Sequence, residues 1–438
     1  MEIRVSNYAS WFSIPPDKAI IWSGLTGFWG LVPKSIVNTI ERQGPNKLPQ
    51  KVRSELIKQG FLVNKDVDDM TLAKECITRA TQGATKTHRL ILIINRDCNC
   101  ECSYCYQTRE QKNGIKSMNS TVVKKSIQYA RKVVPYGSKL TVSFFGGEPL
   151  LSFRSLRDAV ESFRKEIANR FFHDVRFGLT TNAVLFTENV QKLFARRYDL
   201  DWVQITFDGL EKNHDAVRHL HGGYGTFSTI WSNFDRILQV ANSIRVRINV
   251  RQNNKLDVIP LSEKILTQFG TEKINIYVAP LRVYPNSSFP QAQVLTPQEY
   301  TAVLKAFYEW YFERTGKIHP DLLPRIKYVA CMSAFSVPRW IGPDGTLYQC
   351  QHQLDLDIPP SSSIYNIKEM HRFVDSRFSP LQNPRCIECR FLAFCGGVCP
   401  ADMVAGTTNG CDYNYQLWNM QMKLLGILYS CLRKEVKL

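Results

Sequence analysis

The sequence has no long apolar run and no export signal. No stretch of about 18 or more apolar residues occurs in the 438-residue chain, so a transmembrane helix is not expected. The opening MEIRVSNYASWFSIPPDKAI has neither the charged start nor the hydrophobic segment of a signal peptide. We therefore expect a soluble, cytoplasmic protein without a membrane partner.

Concentrated basic runs are also missing, although the chain is basic overall. Lys and Arg number 56 against 39 Asp and Glu, a formal net charge of +17. The basic residues are spread along the chain without the clustered runs of a nucleic-acid site, so nucleic acid is not an expected partner. A basic surface would instead suit an acidic peptide.

Cysteine is abundant and unevenly distributed. Four of the 13 cysteines lie in residues 98–105 and seven lie between residues 331 and 411, which leaves Cys76 and Cys431 outside both groups. The cytoplasm keeps thiols reduced, so disulfides are not expected. Clustered, reduced thiols indicate metal ligands.

Residues 89–280 alternate β-rich and helical patterns. Candidate strands are 89–95, 139–146, 175–181, 202–208, 244–250 and 273–279, and amphipathic helical stretches fall at 119–134, 152–170, 188–198, 226–241 and 257–269. Six β/α units in a row predict an α/β fold with a parallel sheet, either open or curled into a partial (β/α)6 barrel.

The rest of the chain has a different composition. Residues 1–85 combine short β-like runs with helical patterns and predict a small winged-helix-like domain. Residues 86–285 hold the β/α units, and residues 286–325 form a bridging segment with a helix at 297–314. Residues 326–438 are turn-rich and cysteine-dense, with few strong elements, so we expect metal to substitute for a large core there.

The conspicuous motifs follow successive strands. CNCECSYC (98–105) follows the first, GGEP (146–149) the second, TTNA (180–183) the third and DGLEKNHDAVR (208–218) the fourth. The carboxyl ends of parallel strands lie at one edge of a sheet, where chemistry collects. The sequence therefore predicts a single active site.

The first cysteine group has the spacing C-x3-C-x2-C, formed by Cys98, Cys102 and Cys105. Three thiolates can hold three irons of a four-iron cluster and leave the fourth iron open to substrate. Zinc is the alternative, but it needs a fourth ligand and no matching pair lies nearby. Cys100 is either a spare thiol or a further ligand.

This spacing after the first strand, followed by GGEP, resembles the radical S-adenosylmethionine (SAM) enzymes. The resemblance implies that the open iron chelates SAM, and that one electron cleaves SAM to a 5′-deoxyadenosyl radical that takes hydrogen from a substrate. It also implies SAM contacts from Tyr104, Gly146, Gly147, Glu148, Thr206 and Arg218. The two glycines would let the backbone approach a ligand, and Glu148 would accept from the SAM ammonium. Arg218 would pair with the SAM carboxylate. TTNA departs from the commoner T-N-G of the family.

The C-terminal cysteines resemble the SPASM extension of these enzymes, which carries two auxiliary four-iron clusters. The resemblance assigns one cluster to Cys386, Cys389, Cys395 and Cys411, and a second to Cys331, Cys350 and Cys399, whose fourth ligand is open or not a cysteine. In all, three [4Fe-4S] clusters are expected. The auxiliary clusters would relay an electron or, alternatively, bind substrate directly.

Two reactions fit the resemblance. Anaerobic sulfatase maturases carry an Asp general base directly after the cysteine that matches Cys350, whereas this chain has Gln351, an amide that cannot take a proton. His352 is a weak candidate for that base. We therefore favour the branch that crosslinks ribosomally made precursor peptides through C–C or thioether bonds, with residues 1–85 binding the leader and a flavodoxin- or ferredoxin-like electron donor. Two non-enzymatic alternatives are a zinc-rich nucleic-acid module and a structural iron–sulfur scaffold.

Overall fold

The structure is a computed structural model of the chain. It describes residues 2–81, 87–105, 107, 117–282, 289–327, 339–350, 353, 362–366, 383–397, 399 and 410–432.

The elements are numbered here in chain order. The strands are β1 Ile3–Val5, β2 Ala9–Ile14, β3 Lys18–Ser23, β4 Trp29–Pro33, β5 Leu62–Asn64, β6 Thr87–Asn95, β7 Lys139–Gly146, β8 Asp174–Thr181, β9 Leu200–Phe207, β10 Ala241–Val250, β11 Ile274–Pro280, β12 Trp340–Ile341, β13 Thr346–Tyr348 and β14 Ser362–Ser363. The helices are α1 Lys34–Gln43, α2 Gln50–Lys58, α3 Asp69–Thr81, α4 Ser120–Val133, α5 Phe153–Ala168, α6 Glu188–Ala195, α7 Glu211–Asp215, α8 Phe227–Val240, α9 Val258–Phe269, α10 Pro297–Thr315, α11 Pro384–Ile387, α12 Leu392–Cys395 and α13 Gly410–Leu432.

The chain divides into two compact units. The first comprises Met1–Ala84, Pro297–Ser336 and Val374–Leu438, and the second comprises Thr85–Thr296 and Val337–Phe373. The N-terminal and C-terminal segments therefore belong to one unit. The four-domain division drawn from the sequence stays a prediction.

The second unit is built on a nine-stranded sheet with the order β11-β10-β9-β8-β7-β6-β12-β13-β14. Neighbours from β6 to β11 are parallel and follow one another in the chain. The predicted α/β fold, its six strands and the helices between them are confirmed. The sequence did not predict the three short strands β12, β13 and β14.

The two faces of this sheet differ. Right-handed crossovers between strands in simple sequential order place all the connecting helices on one face. On that face Phe144 stacks on Phe177, with ring centroids 5.8 Å apart, and Phe177 contacts Phe194 of α6. The opposite face, called the inner face below, carries the alternate residues of each strand. Trp202 and Arg245 lie on it.

The first unit joins both ends of the chain. Strands β2, β3 and β4 form an antiparallel sheet, and β1 pairs with β5. Trp22 of β3 meets Trp418 of α13 edge to face, with ring centroids 5.3 Å apart, and both side chains are fully buried. The Tyr8 hydroxyl donates to the carbonyl of Ile387 at 2.6 Å. The C-terminal region thus has an apolar core.

Helix α13 corrects one expectation. The sequence interpretation gave few strong elements after residue 326, but α13 is 23 residues long. Within the part of the chain that the structure describes, neither this helix nor any other is long and apolar enough to cross a membrane.

Candidate active site

The first cysteine group lies in an extended loop after β6. The loop pairs with the segment that follows α7, through the bridge between Cys100 and Leu220. Glu101 N–H donates to His219 O at 2.8 Å, and Ser103 N–H donates to Val217 O at 3.0 Å. These bonds bring DGLEKNHDAVR against CNCECSYC, as the common strand-end position predicted.

Gly146 and Gly147 hold the same loop from its other side. The Gly147 amide donates to Asn95 O at 3.2 Å, and the Glu148 amide donates to Asp97 O at 2.7 Å. A side chain at Gly146 would collide with the backbone of Asn95, and one at Gly147 with the backbone of Asp97. These glycines therefore allow close approach to the cysteine loop itself. The ligand contacts predicted for them stay a prediction.

The thiols of the loop are mutual neighbours. Burial raises the pKa of Cys102 to about 12, Cys105 and Cys98 add to the increase, and Arg218 opposes it. Cys100 is buried, and its sulfur accepts a hydrogen bond from the side-chain amide of Asn182 (Nδ2) at 3.2 Å. Cys100 is therefore hydrogen-bonded within the chain, beside the three predicted ligands.

The spacing of the loop thiols limits which kind of metal group they can bind. A zinc ion needs its thiolates at about 2.3 Å and hence tightly convergent. Among the described residues, no three Cys, His, Asp or Glu side chains converge in that way. A four-iron cluster is a larger body, and Cys98, Cys102 and Cys105 would each occupy one of its corners.

Two buried side-chain oxygens at the ends of strands are available to accept hydrogen bonds from a ligand. Asn95 Oδ1 and Asp208 Oδ1 have no hydrogen-bond partner among the described residues. Acceptors of this kind suit the positive charges of SAM, because a buried acceptor without a donor is costly. The residues present thus fit a cluster with bound SAM.

The Glu148 side chain links two strand ends. Its carboxylate is buried and accepts from the amide of Leu150 at 2.9 Å, the hydroxyl of Thr181 at 2.8 Å and the amide of Asn182 at 2.7 Å. Burial raises the pKa of Glu148 to about 7, although these donors favour the ionised form. Glu148 therefore organises the ends of β7 and β8. Its predicted contact with the SAM ammonium stays a prediction.

Tyr104 and Arg218 meet in a buried polar network. The Tyr104 hydroxyl donates to Asp208 Oδ2 at 2.7 Å and accepts from Arg218 Nη2 at 2.7 Å. Arg218 Nε also donates to Asp208 Oδ2, at 2.9 Å, and Asn249 Nδ2 donates to the Tyr104 hydroxyl at 3.1 Å. Arg218 thus already has a carboxylate partner within the chain. Its predicted role toward the SAM carboxylate stays a prediction.

His214 supports this network from behind. Its Nδ1 accepts from the amide of Asp208 at 3.2 Å, so its Nε2 carries the proton that faces Thr226 Oγ1 at 3.0 Å. Thr226 in turn donates to the carbonyl of Arg218 at 2.7 Å. His214 therefore fixes the backbone at both ends of the Asp208–Arg218 pair. Burial lowers its pKa to about 4, which keeps it neutral.

Asp208, His214, Asn249 and Asn182 were not among the predicted site residues. Asp208, His214 and Asn182 stand in motifs quoted from the sequence, so their position at strand ends was the available signal. Asn249 lies within β10 and carried no local signal. Ala183 adopts φ 64°, the left-handed region, where the commoner family motif has glycine. Thr206 is half-buried on the inner face of β9.

The second cysteine group is partly described. Burial raises the pKa of Cys386 to about 11, with Cys411, Cys395 and Cys389 adding to the increase. Cys389, Cys395 and Cys411 thus lie near enough to Cys386 to act on its thiol, and the auxiliary cluster assigned to these four cysteines stays a prediction. Cys395 also accepts from Asn414 Nδ2 at 3.3 Å.

The structure describes only some of the remaining predicted residues. Cys331, Gln351 and His352 lie outside the described residues. Cys350 is buried in the second unit and Cys399 is half-buried in the first. Their shared cluster stays a prediction. The 12 described cysteines are all reduced thiols.

Comparison with known protein sequences identifies the central region. Residues 92–249 match the radical SAM superfamily. An uncharacterised protein of Methanocaldococcus jannaschii is 27% identical over 42% of this chain and 60% of its own length. The radical SAM cyclopropyl synthase TigE of Paramaledivibacter caminithermalis is 22% identical over 37% of this chain and 36% of its own length. The chain thus spans less than two thirds of each of these relatives.

Comparison with solved structures extends the similarity of fold. The anaerobic sulfatase maturase anSMEcpe, with bound AdoMet and the Kp18Cys peptide, matches 78% of this chain and 99% of its own, with a TM-score of 0.63 and 18% identity. Streptococcus suis SuiB bound to its precursor peptide SuiA matches 92% of this chain and 97% of its own, with a TM-score of 0.56 and 12% identity. At these identities the similarity concerns the fold.

Proposed function

Residues 92–249 are a radical SAM domain, and from this premise we propose that the enzyme modifies a ribosomally made precursor peptide by forming a side-chain crosslink. A radical SAM domain works with one four-iron cluster and SAM, which together supply a 5′-deoxyadenosyl radical that takes a hydrogen atom from the substrate. Cys98, Cys102 and Cys105 would hold that cluster.

The similarity of fold to SuiB with its precursor peptide, over 92% of this chain, carries the proposal. At that coverage the similarity extends into both compact units. The relative TigE is named a radical SAM cyclopropyl synthase, an enzyme that forms new bonds in its product. A basic chain also suits an acidic leader.

Different residues of this chain would bind SAM, support that binding and hold the auxiliary cluster. The network of Tyr104, Asp208, Arg218 and Asn249 would orient SAM beside the cysteine loop, and His214 would keep that network in place. Cys386, Cys389, Cys395 and Cys411 would hold an auxiliary cluster that can take up an electron. An external flavodoxin- or ferredoxin-like protein would supply the reducing electron.

Sulfatase maturation is the second candidate, because anSMEcpe has the higher TM-score of 0.63. Gln351 argues against it, since the base expected there is a carboxylate. The products distinguish the two reactions. A crosslink removes two hydrogens from the peptide and forms no aldehyde, whereas formylglycine is an aldehyde that reacts with a hydrazide.

The test begins with anaerobic reconstitution and an assay for 5′-deoxyadenosine under a strong reductant. We expect the wild-type protein and a Cys76→Ala control to cleave SAM, and Cys102→Ala to lose this activity. Candidate peptides encoded beside the gene are then analysed by mass spectrometry. Undiminished cleavage by Cys102→Ala would overturn the ligand assignment, and a hydrazide-reactive product would favour the second candidate.

A further inference from the structure

We propose that the inner face of the parallel sheet carries a carboxylate-binding subsite, formed by Arg89 and Arg245 around Trp202, that receives an aspartate or glutamate side chain of the substrate. The inference rests on the proposed function, because it describes a feature of the modified peptide.

Trp202 is the centre of the subsite. A side chain at Gly178 of β8 would collide with its indole, so the ring extends from β9 over β8. The guanidinium carbon of Arg245 lies 4.6 Å from the centre of the ring, and that of Arg89 lies 5.7 Å away. Two cations from strands on either side of β9 thus contact one aromatic ring.

In the described part of the chain, these arginines have no carboxylate partner. Among the described residues, no carboxylate lies within ion-pairing distance of Arg89 or Arg245. Burial lowers the pKa of Arg89, the neighbouring charge of Arg245 lowers it further, and Asp201 only partly offsets this. Trp202 is 6% exposed, and its indole N–H has no acceptor among the described residues. Two cations therefore contact the ring of a buried tryptophan whose indole N–H has no acceptor among the described residues.

A carboxylate matches this set of donors. It carries one negative charge and about four lone-pair directions on two oxygens, and guanidinium groups bind it in the plane of the fork. An anion here would relieve the repulsion between the two arginines. An amide of the same shape would bring no charge and further donors.

The subsite is continuous with the candidate active site along β10. Arg247 Nε donates to Asn249 Oδ1 at 2.7 Å, and Asn249 donates to the Tyr104 hydroxyl. Arg245, Arg247 and Asn249 occupy alternate positions, so Arg245 lies about 13 Å from Asn249 along the strand. An extended peptide covers that distance in about four residues. We therefore expect the acidic residue about four positions from the modified one.

Fluorine NMR of the full-length, reconstituted protein labelled with 5-fluorotryptophan tests the subsite directly. Trp202→Phe assigns the Trp202 resonance. The probes are N-acetylglutamate N-methylamide, the matching glutamine derivative, and tripolyphosphate as an anion that is not a carboxylate. We expect saturable movement of the Trp202 resonance with the glutamate probe and none with the glutamine probe.

Variants locate the binding. Arg245→Gln should weaken binding of the glutamate probe about tenfold or more, because a charge-assisted pair is lost, and Arg245→Lys should weaken it less. Arg157→Gln, at an arginine on α5 with 51% of its side chain exposed, should leave it unchanged. Equal shifts from both amino-acid probes, a response to tripolyphosphate alone, or unchanged binding by Arg245→Gln would overturn the proposal.

Binding is measured here without turnover, so the two proposals fail separately. If the glutamate probe binds but no peptide is modified, the carboxylate subsite stands and its assignment to a peptide falls. If a peptide is crosslinked while the probe moves no resonance, the proposed function stands and the subsite is wrong.

Discussion

Two buried residues at the candidate active site respond to pH in opposite directions. Burial holds the pKa of His214 at about 4, below its ordinary value of 6.5, so its contribution to folding is present above pH 6.5 and is lost as the pH falls through 4. Burial holds the pKa of Glu148 at about 7, above its ordinary value of 4.5, so stability is lost as the pH rises from 4.5 through 7. The two contributions largely cancel.

Replacing either residue should reveal the pH dependence of stability that the other contributes. We expect the free energy of unfolding of Glu148→Gln to rise by on the order of 3 kcal/mol between pH 4.5 and 6.5, through His214 alone. His214→Asn should instead become less stable as the pH rises through 7. Denaturant titrations across this pH range measure both slopes. His173→Ala, at an exposed histidine, serves as control, and parallel slopes in all three variants would contradict the opposing effects.

At the scale of single residues, the sequence predicts where the motifs lie in the fold better than it predicts which side chains contact one another. The spacing of the loop cysteines and the ends of β7 to β9 could be read from the sequence. The partner of Arg218 could not, because Asp208 reaches it only through the pairing of two loops. Asn249 joins the network through the register of β10, which a local pattern does not fix.

At the scale of elements, the contact between the GGEP turn and the cysteine loop is the most sensitive to a small change. Gly147→Ala would place a methyl group against the backbone of Asp97 and displace the loop that begins at Cys98. We expect the variant to lose the iron of the first cluster and its SAM cleavage, as measured by iron analysis and the 5′-deoxyadenosine assay.

The control for this change is another glycine. Gly137 has φ 74° and open space around its Cα, so Gly137→Ala should cost about 1 kcal/mol of stability through backbone strain alone. Its iron content should match the wild type. Full iron loading of Gly147→Ala would contradict the proposed tight contact.

The six parallel strands of the second unit and the five helices expected between them could be predicted because each repeats a clear pattern over seven or more residues. Strands β12, β13 and β14 have only two or three residues and carry no such pattern. Helix α13 did carry a signal, since the fully buried Trp418, Met422 and Leu425 are spaced i, i+4, i+7.

At the scale of the whole molecule, the first unit couples the N-terminal sheet to the C-terminal cysteines. Trp22→Ala would remove the partner of Trp418 and cost about 3–5 kcal/mol. We expect this variant to lose about four of roughly twelve iron atoms, those of the cluster assigned to the C-terminal cysteines. Iron analysis and thermal unfolding measure the two effects.

Trp11→Ala is the matched control. Trp11 lies on the neighbouring strand β2, but it contacts Phe61 and Glu41, which are also N-terminal. It should lower stability without loss of C-terminal iron. Equal iron loss in both variants would indicate a general loss of folding instead of coupling between the chain ends.

The pairing of Trp22 with Trp418 also imposes an order on synthesis. Strand β3 leaves the ribosome well before helix α13, which covers its tryptophan. Until that helix is translated, an apolar surface that is buried in the finished unit stays in water, where chaperones bind and nascent chains aggregate. Slow growth or chaperone co-expression should therefore raise the yield of this protein more than that of a radical SAM domain produced alone.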